Sequence, residues 1–188
     1  MTKGISVARW AKEQIGKPYK EIDCIKLVVL SVRNGEGASG ESKSYQCGGC
    51  NELWRSLNAS GKYRYVTRRL ELETAKSLGL IVPGALLTIW DPGYNQKYDD
   101  WEGDCSHIGI YVGGDVVRDS TRWKNSSGEY TRDGVADRAQ SAFNRFGLCK
   151  YLDFGTESKY NDPAGIVQII AEIRDRLNEL ERKVLHEN

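Results

Sequence analysis

From Ile5 to Ile15 the apolar residues Val7, Ala8, Ala11 and Ile15 recur at spacings of three and four, which predicts a short amphipathic helix stopped by Gly16 and Pro18. A second helix is predicted from about Cys24 to Arg33. There Ile25, Leu27, Val28, Val29, Leu30 and Val32 leave almost no polar face, and a helix apolar all round belongs in a core. Asp23 stands where its N-cap should be. The stretch from Asn34 to Gly40 reads as a loop, and residues 51–57 and 69–78 read as further helices. Beyond Gly79 the pattern changes. Val82-Pro83-Gly84 is turn chemistry, Ala85 to Trp90 is a buried strand, and a polar, aromatic loop follows from Asp91 to Ser106. Strands are then predicted over 107–112 and 115–120, joined by Gly113-Gly114, with a last one around 148–154. Helices first and an antiparallel sheet afterwards make an α+β domain.

The domain is expected to fill residues 1–155, leaving 156–188 as a linker and a terminal helix. Asp162-Pro163 supplies an N-cap followed by proline at the first helical position. Along that helix Ile166, Ile170, Ile173, Leu177, Leu180 and Val184 step by alternating fours and threes, a heptad seam. The expectation is a coiled coil that joins copies of the chain into a homo-oligomer. The alternative is a helix that folds back on its own domain.

Composition removes whole classes of function. In 188 residues, 27 Lys and Arg face 26 Asp and Glu, so there is no basic field for nucleic acid. No apolar run approaches the roughly 18 residues of a membrane span. Five Trp and ten Tyr exceed what disordered composition allows. The N-terminal residues lack the pattern of a secretory signal, so the chain is expected to be made in the cytoplasm.

The candidate chemistry begins at Cys24, in the first turn of the apolar helix. The macrodipole there favours a thiolate, although a small buried hydrophobe is what most free cysteines are. Only two histidines exist. His186 lies near the C-terminus, and His107 begins a strand just after a polar loop, which makes it the candidate base for Cys24. Asp119, twelve residues on, is the candidate orienting group if strand register brings it to the same face. A two-residue turn at 113 and 114 would send Asp119 to the opposite face, whereas a three-residue loop places it beside His107. The three-residue loop is the expectation. Cys47-Gly48-Gly49-Cys50 is a CxxC pair that, with Cys105 and Cys149 or with Cys105 and His107, leaves zinc, disulfides and ordinary thiols open. Tyr94, Tyr98 and Trp101, just before His107, are expected to form a wall of the cleft.

Together these segments resemble the NlpC-type cell-wall peptidases, papain-like cysteine hydrolases. Ile15-Gly16-Lys17-Pro18-Tyr19 is similar to the segment that leads into the family's site. Asp23-Cys24 with Leu27-Val28 is similar to its nucleophile helix, and Val82-Pro83-Gly84-Ala85-Leu86 to its strand before the histidine. His107-Ile108-Gly109-Ile110-Tyr111-Val112-Gly113-Gly114 matches best, with Asp119 at the third catalytic place. The resemblance covers about residues 5–154. It departs at Ile25-Lys26, where the family usually has a small pair, and at Ala85, where it usually has Asp.

What the resemblance implies is a papain-like fold and a cysteine endopeptidase acting on peptidoglycan stem peptides at the bond between D-glutamate and the diamino acid. Cys24, His107 and Asp119 would be catalytic, Tyr19, Asp23 and Trp101 substrate-binding, and no cofactor or metal would be needed. The alternatives are an amidase like those of the CHAP group, or an inactive module that holds cell wall or belongs to a phage tail. Without a secretion signal the expected setting is a phage or mobile-element hydrolase, released to the wall or carried on a virion.

Overall fold

Helix α1 (Gly4–Glu13) follows strand β1 (Thr2–Lys3) and buries Val7, Ala8 and Ala11, as its periodicity predicts. Ile15 departs from the prediction. The helix ends before it, the chain turns at Gly16, and the side chain is 56% exposed. In this computed structural model residues 2–55, 65–91 and 103–154 are described. Met1–Phe154 forms one unit of the chain and Gly155–Asn188 a second, so the predicted coiled coil lies outside the described residues, as does Trp101 with its neighbours Tyr94 and Tyr98.

Helix α2 (Cys24–Asn34) begins where predicted, with the Asp23 carboxylate accepting the Lys26 N–H at 2.7 Å. Its residues Leu27, Val28, Val29 and Val32 are buried. Short helices α3 (Gly40–Lys43) and α4 (Cys50–Arg55) follow. The predicted helix over 69–78 is corrected. Residues 69–71 belong to strand β2 (Val66–Glu71), and only Leu72–Ser77 (α5) is helical.

The other strands are β3 (Leu86–Trp90), β4 (Cys105–Gly113), β5 (Val116–Lys124), β6 (Tyr130–Ala139), β7 (Arg145–Cys149) and β8 (Leu152–Asp153), with a 3-10 turn at Gln140–Ala142. Strands β2 to β7 form a six-stranded antiparallel sheet in the order β2-β7-β3-β4-β5-β6, while β1 and β8 pair in parallel. The molecule is therefore α+β, as the order of helical and strand patterns predicts. Strand β6 was not predicted, and the single strand expected at 148–154 is two strands, β7 and β8. The core lies where Ile108, Ile110 and Val112 of β4 meet Val7, Ala8 and Ala11 of α1 and Val28, Val29 and Val32 of α2.

Two features of the sheet position the site. First, β4 carries a bulge at Ser106, since Ile89 pairs with His107 while Trp90 pairs with Cys105. A bulge re-aims its neighbouring side chains. Here Cys105 joins the core together with Ile108, and His107 follows directly after the bulge. Second, the β4–β5 connection differs from the expected three-residue loop. Gly113 pairs with Val116 across the two residues Gly114 and Asp115, both at positive φ (61° and 58°), the combination a type I′ turn requires. A register shift between Tyr111 and Gly113 then places Asp119 opposite Gly109. The shift restores the parity that the turn alone would have lost, so Asp119 and His107 share a face by a different route from the one predicted.

Candidate active site

Cys24 is held by the N-terminus of α2, whose start is pinned from two sides. Ser120 of β5 donates its hydroxyl to the Ile22 carbonyl. Segment 16–18 is stitched to β6 by Val135 N–H to the Lys17 carbonyl and Gly16 N–H to the Val135 carbonyl, both 2.8 Å. The stitch needs a glycine at 134, because a Cβ there would lie 2.1 Å from the Lys17 oxygen. Fixing both flanks fixes the thiol relative to the sheet that bears the other groups.

His107 stands beside Cys24 in the wall of one cleft and is hydrogen-bonded to Asp119, with His107 Nε2 2.7 Å from Asp119 Oδ2. The remaining ring nitrogen, Nδ1, is thus the one left for the thiol. The imidazole stacks on Phe143, with ring centroids 6.1 Å apart. Gly109 makes the diagonal contact possible. A Cβ on it would stand 2.5 Å from Val117 Cγ1 and 3.0 Å from Asp119 Cβ, so a larger residue would push Asp119 away from the ring.

The electrostatics follow from these contacts. Cys24 is drawn down to about 5, first by a hydrogen bond from Cys50 and then, against the opposing effect of burial, by the hydrogen bond and positive charge of His107. Burial opposes charge on His107, but the Asp119 and Cys24 bonds outweigh it and raise the imidazole to about 9. Between those values the pair is thiolate and imidazolium. Hydrolysis by such a pair needs both charges, the anion to attack and the cation to protonate the departing amine. The expected kcat/KM profile is therefore a plateau from about pH 5 to about pH 9. It falls below as the thiolate gains a proton and above as the imidazolium loses one, both limbs being macroscopic values of the pair. A profile rising through neutrality with a single limb would contradict the ion pair.

Asp119 has no exposed surface and meets two further cations. Arg132 bonds Oδ1, and Arg138 Nη1 lies 3.4 Å from Oδ2. Trp123 underlies both guanidinium groups, 5.3 Å from Arg132 and 5.0 Å from Arg138, and Phe143 adds a face to Arg138 at 5.3 Å. In the β5–β6 register Trp123 pairs with Arg132 and Val117 with Arg138, which puts both arginines on the Asp119 face. These groups were missed by sequence reasoning. The alternation of Arg132, Gly134, Ala136 and Arg138 is a signal that becomes readable only once β6 is known to be a strand.

The cleft has two lobes that share Tyr19, Cys24 and Ser106. One, of about 680 Å³, is bordered by Asp23, Lys26, Glu52 and the 47–50 turn. The other, of about 500 Å³, is bordered by His107, Thr121, Arg122, Trp123 and Arg138. Of the predicted binding residues, Tyr19 and Asp23 stand at the cleft. Burial raises the Tyr19 hydroxyl, with further upward pressure from Cys24, Asp23 and Cys50. All five cysteines are free thiols, and among the described residues no group of three or more His, Cys, Asp or Glu is arranged to hold a metal ion. No family model matches the chain, and no curated protein matches it in sequence.

Proposed function

We propose that the chain is a cysteine peptidase of papain-like architecture that hydrolyses peptide bonds of the peptidoglycan stem. The observation that carries this reading is the series Cys24–His107–Asp119, with a thiol on a helix start beside an imidazole on a strand and a buried carboxylate hydrogen-bonded behind it. Cys24 attacks the scissile carbonyl as a thiolate. Backbone N–H groups at the start of α2 stabilise the oxyanion. His107 delivers its proton to the leaving amine and then takes one from the water that cleaves the acyl-enzyme, while Asp119 keeps the ring oriented.

The two lobes suit a short peptide lying across Cys24. In one, Asp23 and Glu52 outnumber Lys26 and favour an amine, while in the other Arg122 and Arg138 are already paired with Asp133 and Asp119. The heptad stripe supports a companion proposal, that the catalytic domains are joined as a homo-oligomer through residues 163–185. The decisive experiment is to digest purified cell walls and identify the new amino termini by mass spectrometry. The expected product carries a free α-amine on the diamino acid. A new amine on the first stem residue would instead assign an amidase, and unchanged muropeptides from protein whose Cys24 still alkylates would reject the hydrolase.

A further inference from the structure

The hydrolytic chemistry leaves one neighbour of Cys24 without a role. Cys50 opens α4 in the cleft wall and lines the same lobe as Cys24 and Cys105, with its thiol close enough to both to interact with them. Its place is fixed by the residues around it. Asn51 donates to Asp104 Oδ1 at 3.0 Å and accepts the Cys105 N–H at 2.7 Å, and Gly48 N–H bonds Glu52 Oε2 at 2.7 Å. The proposed nucleophile thus shares its cleft lobe with a second thiol that a hydrolase does not need.

We propose that Cys24 and Cys50 form a reversible disulfide that switches the site off under peroxide, with Cys24 as the oxidised thiol and Cys50 as the resolving one. A thiolate, accessible from a cleft and next to a second thiol, is the arrangement of a redox-sensing cysteine. In the first step the Cys24 thiolate attacks one oxygen of a hydroperoxide. An S–O bond forms and the O–O bond breaks, and the hydroxide or alkoxide released takes the His107 proton. Cys24 is oxidised by two electrons to a sulfenic acid and the peroxide is reduced to water or alcohol. In the second step the Cys50 sulfur attacks the Cys24 sulfur. An S–S bond forms, the S–O bond breaks, and the hydroxide leaves with the Cys50 proton as water. A dithiol reductant returns both thiols. Until the first step, Cys50 stays protonated. Its bonds to Cys105 and Cys24, together with burial, hold it well above the ordinary thiol range, so it acts as a donor to the thiolate and does not compete as a nucleophile.

This inference shares with the proposed function the need for a Cys24 thiolate, and nothing in it depends on what Cys24 cleaves. The test treats the reduced full-length chain with hydrogen peroxide at pH 7, blocks free thiols, and maps peptides without reduction. A peptide containing Cys24 joined to one containing Cys50 is expected, and dithiothreitol should release it. In Cys50→Ser, and equally in Cys50→Ala, a dimedone-reactive sulfenic acid should accumulate at Cys24 and pass on to sulfinic acid. The Cys24 thiol recovered by dithiothreitol should then fall about tenfold or more below wild type. A Cys47→Ser chain should still form the linkage. Linkage of Cys24 to Cys47 or Cys105, or equal recovery in the presence and absence of Cys50, would overturn the proposal. Rapid iodoacetamide labelling of Cys24 without any disulfide would sink the switch alone, whereas a Cys24 inert to both reagents would sink the switch and the hydrolase together.

Discussion

Replacing Cys24 by alanine is expected to lower hydrolysis of a synthetic stem peptide by about 10⁴-fold or more, to the level of the surrounding binding groups alone. The magnitude follows from the way the site is coupled. Without the thiol there is no acyl-enzyme, and neither His107 nor the α2 N–H groups can create one. Cys24→Ser should fare little better, because an alkoxide is far harder to form beside an imidazole than a thiolate already drawn down to about 5. The substitution has a second consequence that a merely structural cysteine would not produce. His107 owes part of its rise to about 9 to the Cys24 anion, so its pKa should fall in Cys24→Ala, which NMR titration of the imidazole would read directly. Circular dichroism should stay at wild type, since the side chain is small and only partly buried. An unshifted imidazole, or residual turnover within tenfold of wild type, would remove Cys24 from the role of nucleophile.

The candidate pair Cys24 and His107 was legible in the sequence because both members lie next to strong local signals. The Asp23 cap and the apolar run after Cys24 define a helix start, and the strand beginning near His107 is flanked by glycine turns. The relation between His107 and Asp119 was legible only in part. Parity along two strands depends on every bulge between them, and a register shift at Tyr111 to Gly113 leaves no mark in composition. Strand β6 was invisible for a different reason. Of its ten residues Val135 is the single large apolar one buried, and the charges at 132, 133, 137 and 138 read as a solvated loop. In the folded chain two of those charges, Arg132 and Arg138, turn inward to a carboxylate and rest on an indole. Strand β2 was lost because residues 69–71 run directly into α5 without a turn residue between them. Cys50 could not have been placed beside Cys24 by any local rule. It lies twenty-six residues away, and a CxxC spacing draws attention to Cys47 as its partner instead.

Removing the Asp119 carboxylate should damage both rate and stability, and the two losses can be told apart. Asp119 is the anion on which His107, Arg132 and Arg138 converge, and it has no exposed surface. In Asp119→Ala three cationic groups would face one another across a buried gap with no counter-charge. Breaking a buried charge cluster at its shared partner costs about 3–5 kcal/mol of folding stability. Asp119→Asn keeps the shape and one acceptor oxygen, so it should recover much of that loss and remain folded at assay temperature. Catalysis should not recover with it. A neutral amide can orient the ring in the wrong tautomer as readily as the right one and cannot stabilise the imidazolium, and loss of the comparable carboxylate in a Ser-His-Asp site lowers kcat by about 10⁴. The sign of the pH effect is also fixed. Asp119 contributes to raising His107 to about 9, so without its charge the imidazolium gives up its proton at lower pH. The alkaline limb of the activity profile must therefore move towards neutrality, while the acid limb, set by Cys24, moves up as its cationic partner is weakened. A folded Asp119→Asn chain whose alkaline limb stays near pH 9 would show that the carboxylate serves only to neutralise the two arginines.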